Sequence, residues 1–291
     1  MSDSKDWIEE KHDDFGFRFR VTKRLFAKQS EFQHVEVVDT AGHGKMLFND
    51  GLVMISERDE FVYHDMIAHV PLFVHRAPKK VLIIGGGDGG TMREVLRHDI
   101  VDECTLVEID AAVIDSCKEH IPLTSAAFDH EKARTIVGDG VKFVAETDER
   151  FDIVIVDSTD PIGPAAPLFG SEFYGNVKRV LSDDGIVVSQ GESPFFELDT
   201  QRSMVEIAAS LFEHVHVYNY SNITYPGGFW SFIWASKTLS PLKDFQADRL
   251  RKSKLTFRYY NEATHKAAFA LPQFQLEALT DLLSELPQFT Q

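Results

Sequence analysis

Cysteine is scarce in this chain. Only Cys104 and Cys117 occur among 291 residues, too few for a disulfide framework and without the spacing of a metal site. Cys104 opens an apolar strand pattern and Cys117 lies in a helical one, so both are expected as core thiols in a reducing compartment. Basic charge is also in deficit. Lys and Arg total 30 against 46 Asp and Glu, a formal net charge of −16. That balance excludes a general nucleic-acid binder, which needs a basic footprint. It accords with cationic partners, and equally with simple solubility. No apolar run reaches membrane length, and the opening MSDSKDWIEEKHDD has no apolar centre of the kind a secretory leader requires. A cytoplasmic protein with no membrane partner is the expectation. Internal repeats and low-complexity segments are missing as well.

What is present is a hydrophobic fraction of 43%, ordinary for a globular protein, laid out in two successive patterns. Over residues 1–58, short apolar or alternating runs at Phe15–Arg20, Gln33–Asp39, Lys45–Phe48 and Leu52–Ile55 are separated by the turn signals AGHG and NDG. They predict a small antiparallel β domain that docks on the main domain or on a second subunit, because two-stranded pieces are marginal alone. Over residues 59–291 the pattern changes to strand–helix alternation. A helix is predicted over Glu60–Phe73, and strands over 81–84, 104–109, 134–137, 152–156, 186–189, 215–219 and 231–235. The last two, joined by SNITYPGG, are predicted to pair antiparallel, and the tail from Leu242 to be helical in two pieces. The remainder reads as an α/β domain with a mostly parallel, doubly wound sheet covered on both faces.

In such sheets the ligand sits beyond the carboxyl ends of the strands, and four strand ends here carry acids. VLIIGGGDGG, Val81–Gly90, reads as a buried strand and a glycine turn into a helix. Its glycines let backbone approach a nucleoside closely. Asp88, set inside that loop, would repel a pyrophosphate and attract a ligand carrying positive charge. Glu108 closes the second strand, Asp139 and Gly140 follow the third, and Asp157 and Asp160 follow the fourth. The spacing Gly85-x-Gly87-x-x-Gly90 with an acid about 20 residues on does not separate NAD from adenosyl-sulfonium binding, since Glu108 would accept ribose hydroxyls in both. Asp110 precedes a helix and reads first as a cap. Asp160 precedes a proline and is confined to extended backbone. The stretch from Asp160 through Pro161, Pro164 and Pro167 to Phe169 is expected to form a stiff, non-helical lid that excludes water.

The stretches LFNDGLVMISERDEFVYHDMIAHVPL, KKVLIIGGGDGGTMREVLRH, LVEID, VGDG, FDIVIVDSTDPIGPA, YPGGFWSFIWASK and RYYNEATHKAAFALP together resemble the polyamine aminopropyltransferase family, from the amino-terminal β segment to the carboxyl-terminal tail. GGGDGG with DSTDPIGP and ERDEFVYH is the specific combination. The resemblance implies a Rossmann-like methyltransferase fold with a small amino-terminal β domain, in a homodimer or homotetramer. It implies transfer of the aminopropyl group of decarboxylated S-adenosylmethionine to putrescine, giving spermidine and 5′-methylthioadenosine, with no cofactor beyond that co-substrate. Other acceptors (cadaverine, spermidine, agmatine), a methyltransferase and a noncatalytic binding protein stand as alternatives.

The residue roles that the resemblance implies are as follows. Asp157 is the catalytic proton acceptor. Gln33 reaches the nucleoside from the β domain, Asp88 holds its ammonium, and Glu108 binds its ribose. Asp139 and Gly140 read the adenine edge, with Pro164 and Leu168 lining the adenine pocket. Tyr63, His64 and Tyr225, with Asp88, Asp157 and Asp160, surround the polyamine, whose alkylammonium groups suit aromatic faces. On helical periodicity alone His64 would instead lie on the helix surface. His64, His69 and His75 lack the four-residue spacing of a helical zinc pair, and no metal is expected. One departure stands out. The family loop carries a glutamate where this chain has Ala166, which bears on lid closure and acceptor preference.

Overall fold

The computed structural model describes residues 7–159 and 163–284. The chain opens with an antiparallel meander of β1 (Trp7–Lys11), β2 (Gly16–Gln29), β3 (His34–Thr40), β4 (Gly44–Asn49) and β5 (Leu52–Ser56) in that spatial order. β1 was not foreseen, because the surrounding residues are polar and acidic. It forms because alternation puts Ile8 and Glu10 inward, and the Glu10 carboxylate is satisfied by Val53 N (2.9 Å) and His12 (2.8 Å). A buried acid is tolerable only with such partners.

Helix α1 (Glu60–Leu72) follows, within a residue of its predicted range. Every residue from Val62 to Leu72 is buried, so α1 is enclosed on all sides, as expected of a helix that carries no polar stripe. Its start is pinned from outside. The Asp59 carboxylate accepts from Ser56 Oγ (2.6 Å) and from the backbone N–H groups of Ile223 and Thr224 (2.9 and 3.0 Å).

The second sheet has seven strands. β6 (Lys80–Gly85), β7 (Glu103–Glu108), β8 (Ala133–Val137), β9 (Phe151–Asp157) and β10 (Leu181–Gln190) run parallel, while β12 (Phe229–Ser236) is antiparallel to both β10 and β11 (His214–Ser221). The order β11-β12-β10-β9-β6-β7-β8 places β6 at the reversal. The chain builds outward from it through β7 and β8, then returns to its other side with β9. Ligands bind at such a switch point, beyond the carboxyl ends. Strand residues alternate between two cores, Val81 and Ile83 on the face with α1, and Leu82 and Ile84 on the opposite face. The apolar run of β6 therefore needs no polar interruption.

Cys104 and Cys117 are both free and buried. Cys117 sits on α3 (Ala111–His120) with Val113 and Ile121, packed against Val35, Val37, Leu47 and Ile55 of the meander. The predicted docking of the meander is thus an apolar seam. Two further expectations need correction. Residues Gly163–Phe169 wind as 3₁₀ turns rather than as a non-helical lid; the proline φ near −65° suits such turns. Among its described residues the tail forms three short helices, Ala247–Lys252, Glu262–Ala268 and Gln273–Leu279, not two pieces. Among the described residues no helix is long and apolar enough to cross a membrane.

Candidate active site

The glycine loop and the end of β9 are bound into one unit by backbone. Gly85 pairs with Asp157 across the sheet, and Gly86 N donates to the Asp157 carbonyl (2.9 Å). Gly85 has φ +84°, the left-handed region that favours glycine. Gly90, at the start of α2 (Gly90–Leu96), is required for another reason. A Cβ there would stand 2.1 Å from the His64 ring, so the imidazole lies directly on the loop backbone.

A cavity of about 240 Å³ opens at this switch point, between the sheet ends and the meander. Tyr63, His64, Asp88, Asp157 and Tyr225 all line it, and so do Gln33, Glu108, Asp139, Gly140 and Leu168. Asp160 and the side chain of Pro164 lie outside the described residues. Tyr225 is carried by the 222–228 loop, which Asp59 holds, and its hydroxyl donates to the Met54 carbonyl (2.6 Å). Gln33 reaches in from the β2–β3 turn and donates through Nε2 to Asp110 Oδ2 (3.1 Å). Asp110 itself caps α3 through Oδ1, accepting from Ala112 N (2.9 Å), as its position predicts. Asp139 Oδ1 likewise caps the helix Gly140–Glu146, with Val141 N at 2.8 Å. One residue thus serves as both cap and cavity wall.

His64 is wholly buried, contrary to its surface placement by periodicity. Periodicity carries no information on a helix enclosed on every side. Its Nδ1 lies 2.5 Å from Glu60 Oε2 and its Nε2 lies 3.4 Å from Asp88 Oδ1. Asp157 is fully engaged: Tyr63 OH donates to Oδ1 (2.7 Å) and Thr91 Oγ1 to Oδ2 (2.6 Å). Asp88 Oδ1 accepts from Gly90 N (2.8 Å).

The electrostatics follow from burial. Burial, reinforced by the Asp157 charge and opposed by His64, pushes the Asp88 carboxyl up to about 6. Burial also pushes Glu108 up to about 7, although Asp110 N donates to it (2.9 Å). The Tyr63 phenol is driven well above its ordinary value by burial and then by Asp157, so it stays a neutral donor. Among the described residues the acids lining the cavity outnumber its one basic group, His64, so a cationic ligand is favoured there.

Sequence reasoning passed over Glu60, Thr91 and Arg93. Arg93 clamps Glu60 through Nη1 and Nη2 (3.1 and 2.8 Å), joining α2 to α1. Glu60 and Arg93 offered only their charge among apolar neighbours as a signal, and Thr91 offered none. His64, Asp88 and Asp157 present ligand atoms within 4.8 Å of one another, a group able to hold a cation. A second group, Asp65, His69 and Glu94, lies apart from the cavity lining and is buried. Its Glu94 is already paired with Arg93 and Arg97.

Comparison with known proteins yields consistent matches. Residues 60–247 match a family profile described as a spermine/spermidine synthase domain, and residues 6–57 match one described as a spermidine synthase tetramerisation domain. The chain is similar to the polyamine aminopropyltransferase of Caldicellulosiruptor saccharolyticus, 44% identical over 275 residues, 94% of this chain and 98% of that one. It is similar also to that of Methanocaldococcus jannaschii, 43% identical over 282 residues, 95% and 96% respectively. A crystal structure of spermidine synthase with the transition-state analogue AdoDATO superposes with a TM-score of 0.93 at 37% identity, covering 96% of this chain and 97% of that one. Spermidine synthase from Thermotoga maritima gives 0.91 at 38%, with 94% of each chain covered.

Proposed function

This chain belongs to the spermine/spermidine synthase family, and we propose that it transfers the aminopropyl group of decarboxylated S-adenosylmethionine to putrescine, releasing spermidine and 5′-methylthioadenosine. The observation that carries this reading is the pairing of Asp88 and Asp157. Their oxygens lie within 4.8 Å of each other in a cavity walled by Tyr63 and Tyr225. Two acids so close call for positive charge between them.

The donor supplies a sulfonium and a primary ammonium but no carboxylate. Asp88 takes the ammonium. Against ordinary S-adenosylmethionine, two like charges about 4 Å apart at an effective dielectric of about 20 cost roughly 4 kcal/mol. Glu108, raised by burial, accepts from the ribose hydroxyls. Asp139 and Gly140 meet the adenine edge under Leu168, and Gln33 closes over the nucleoside from the meander.

The acceptor must attack as a neutral amine. With an ordinary pKa near 10.4, about one amine in 2,500 is neutral at pH 7, a deficit of roughly 4.6 kcal/mol. Asp157 aligns and partly desolvates the ammonium between Tyr63 and Tyr225 and accepts the proton. Both its oxygens already receive hydrogen bonds, so positioning carries much of the effect. The amine nitrogen then displaces sulfur in line at the adjacent carbon. That carbon–sulfur bond breaks with its electron pair left on sulfur, and the excess proton passes to solvent. No cofactor or metal is invoked. Assembly through the meander into a homodimer or homotetramer, and a cytoplasmic location, belong to the same reading.

The test is product analysis with decarboxylated S-adenosylmethionine and a panel of putrescine, cadaverine, spermidine and agmatine. Spermidine from putrescine supports the proposal. A preference for another amine moves the acceptor but keeps the transfer, and Ala166 is the position to examine for it. No product with any amine, or tighter binding of ordinary S-adenosylmethionine, rejects it.

A further inference from the structure

The imidazole of His64 is completely buried, yet its Nε2 makes no hydrogen bond among the described residues. The other nitrogen is committed. Nδ1 faces Glu60 Oε2 at 2.5 Å, and Glu60 is clamped by Arg93. A carboxylate held in that way only accepts, so the proton on that side belongs to Nδ1. Nε2 is left as the nitrogen that can gain or lose a proton. It lies 3.4 Å from Asp88 Oδ1, in ion-pair range but without hydrogen-bond alignment. Contact with Gly90 fixes the ring in this place.

Among the described residues, the charged and titratable groups around the ring are Glu60 on its own helix, Asp88 in the glycine loop, Arg93 on α2 and Asp157 at the end of β9. Tyr63 stands edge-on with ring centroids 5.5 Å apart. Three acids therefore face one arginine, which is itself bound to Glu60 and Glu94.

We propose that the imidazolium of His64 is the resident counter-ion of Asp88 in the empty cavity, and that the donor's primary ammonium expels its Nε2 proton on binding. This rests on the donor assigned above. The Nε2–H bond breaks, and the proton leaves through the cavity to a buffer base. Neutral imidazole remains, with Nδ1–H on Glu60 and a lone pair on Nε2 turned toward the ammonium. One cation replaces another and the charge of the site is unchanged. Burial disfavours the imidazolium, but Asp88 and Glu60 outweigh it and push His64 up to about 9. Glu60 and Arg93 are positioning residues that touch no substrate. The product 5′-methylthioadenosine has no ammonium, so the proton returns when the aminopropyl group has left.

The experiment is calorimetric titration of the full-length protein at pH 8 in buffers of different ionisation enthalpy. Asp88, pushed up to about 6 by burial, is already ionised there and has no proton to give. Decarboxylated S-adenosylmethionine is expected to release about one proton per site, and 5′-methylthioadenosine none. His64→Gln, whose amide still donates to Glu60, is expected to bind the donor with no proton released. Glu60→Gln, which removes the charge that holds the imidazolium, should release a smaller fraction and lower the midpoint of the proton-release profile. Donor binding by the native protein without proton release overturns this proposal alone, as does unchanged release from His64→Gln. Failure of the native protein to bind the donor removes the functional reading and this proposal with it.

Discussion

A methyl group on Gly85 would stand 2.1 Å from the carbonyl oxygen of Asp157. The glycine loop and the acidic strand end are thus one surface, formed where β6 and β9 lie side by side. Asp88 and Asp157 share a cavity because these two backbones touch.

That contact makes Gly85→Ala severely destabilising. The alanine meets both a steric clash and a left-handed φ of +84°, and backbone strain of that kind alone costs about 1–3 kcal/mol. Urea denaturation should show the midpoint falling by the equivalent of about 3 kcal/mol or more. An unchanged midpoint means that Gly85 and Asp157 are not in contact.

Asp157→Asn removes the proposed proton acceptor and keeps the shape. Turnover is expected to fall by about 10² to 10⁴-fold, while affinity for 5′-methylthioadenosine stays within about threefold, since the substitution is nearly isosteric. Rapid-quench measurement of spermidine formation alongside calorimetry separates the two. Equal losses in binding and turnover would count against a catalytic place for this side chain.

Asp88→Asn should erase the proposed preference for the nucleoside that lacks a carboxylate. Removing a repulsion of roughly 4 kcal/mol narrows the affinity ratio between the decarboxylated and carboxylated nucleosides by up to about 10³-fold. Competition binding with the two nucleosides reads this directly. A ratio that does not move assigns the discrimination to another residue.

Nucleoside affinity should depend on pH through Glu108. Burial raises its carboxyl to about 7, so the accepting carboxylate is present above that pH and lost as pH falls through it. The dissociation constant of 5′-methylthioadenosine is expected to rise about tenfold from pH 8 to pH 6, and Glu108→Gln should flatten that change. A flat profile in the native protein excludes the ribose role.

Cys104 and Cys117 should be silent in the folded protein. Burial pushes both thiols well above their ordinary value, and a buried thiol is a poor nucleophile. A thiol-specific chromogenic reagent should label neither before unfolding and both after it. Rapid labelling of Cys117 in the native protein would show that the seam at α3 opens.

Local patterns reached far along this chain. α1 was legible because no glycine interrupts Glu60–Leu72 and its single proline, Pro71, falls in the last turn. β6 and its turn were legible because apolar residues followed by glycines have few other conformations. Asp110 was legible as a cap because capping is decided within three residues. β1 was not, because its residues are mostly polar and the partner that satisfies its buried Glu10, Val53, lies 43 residues away. Nor was the burial of His64, since a helix enclosed on every face has no periodic stripe to read.

The sequence by itself determined the strand–helix alternation from residue 60 to 236 and placed Asp88, Glu108, Asp139 and Asp157 at strand ends, because backbone preferences and apolar alternation act over a few residues. Only the tertiary structure decided that Arg93 grips Glu60, that His64 faces Asp88, and that Thr91 and Tyr63 occupy both oxygens of Asp157. Those bonds span up to 94 residues of chain. They exist because the sheet reverses at β6 and packs α1 over α2, a closure that no short stretch of sequence encodes.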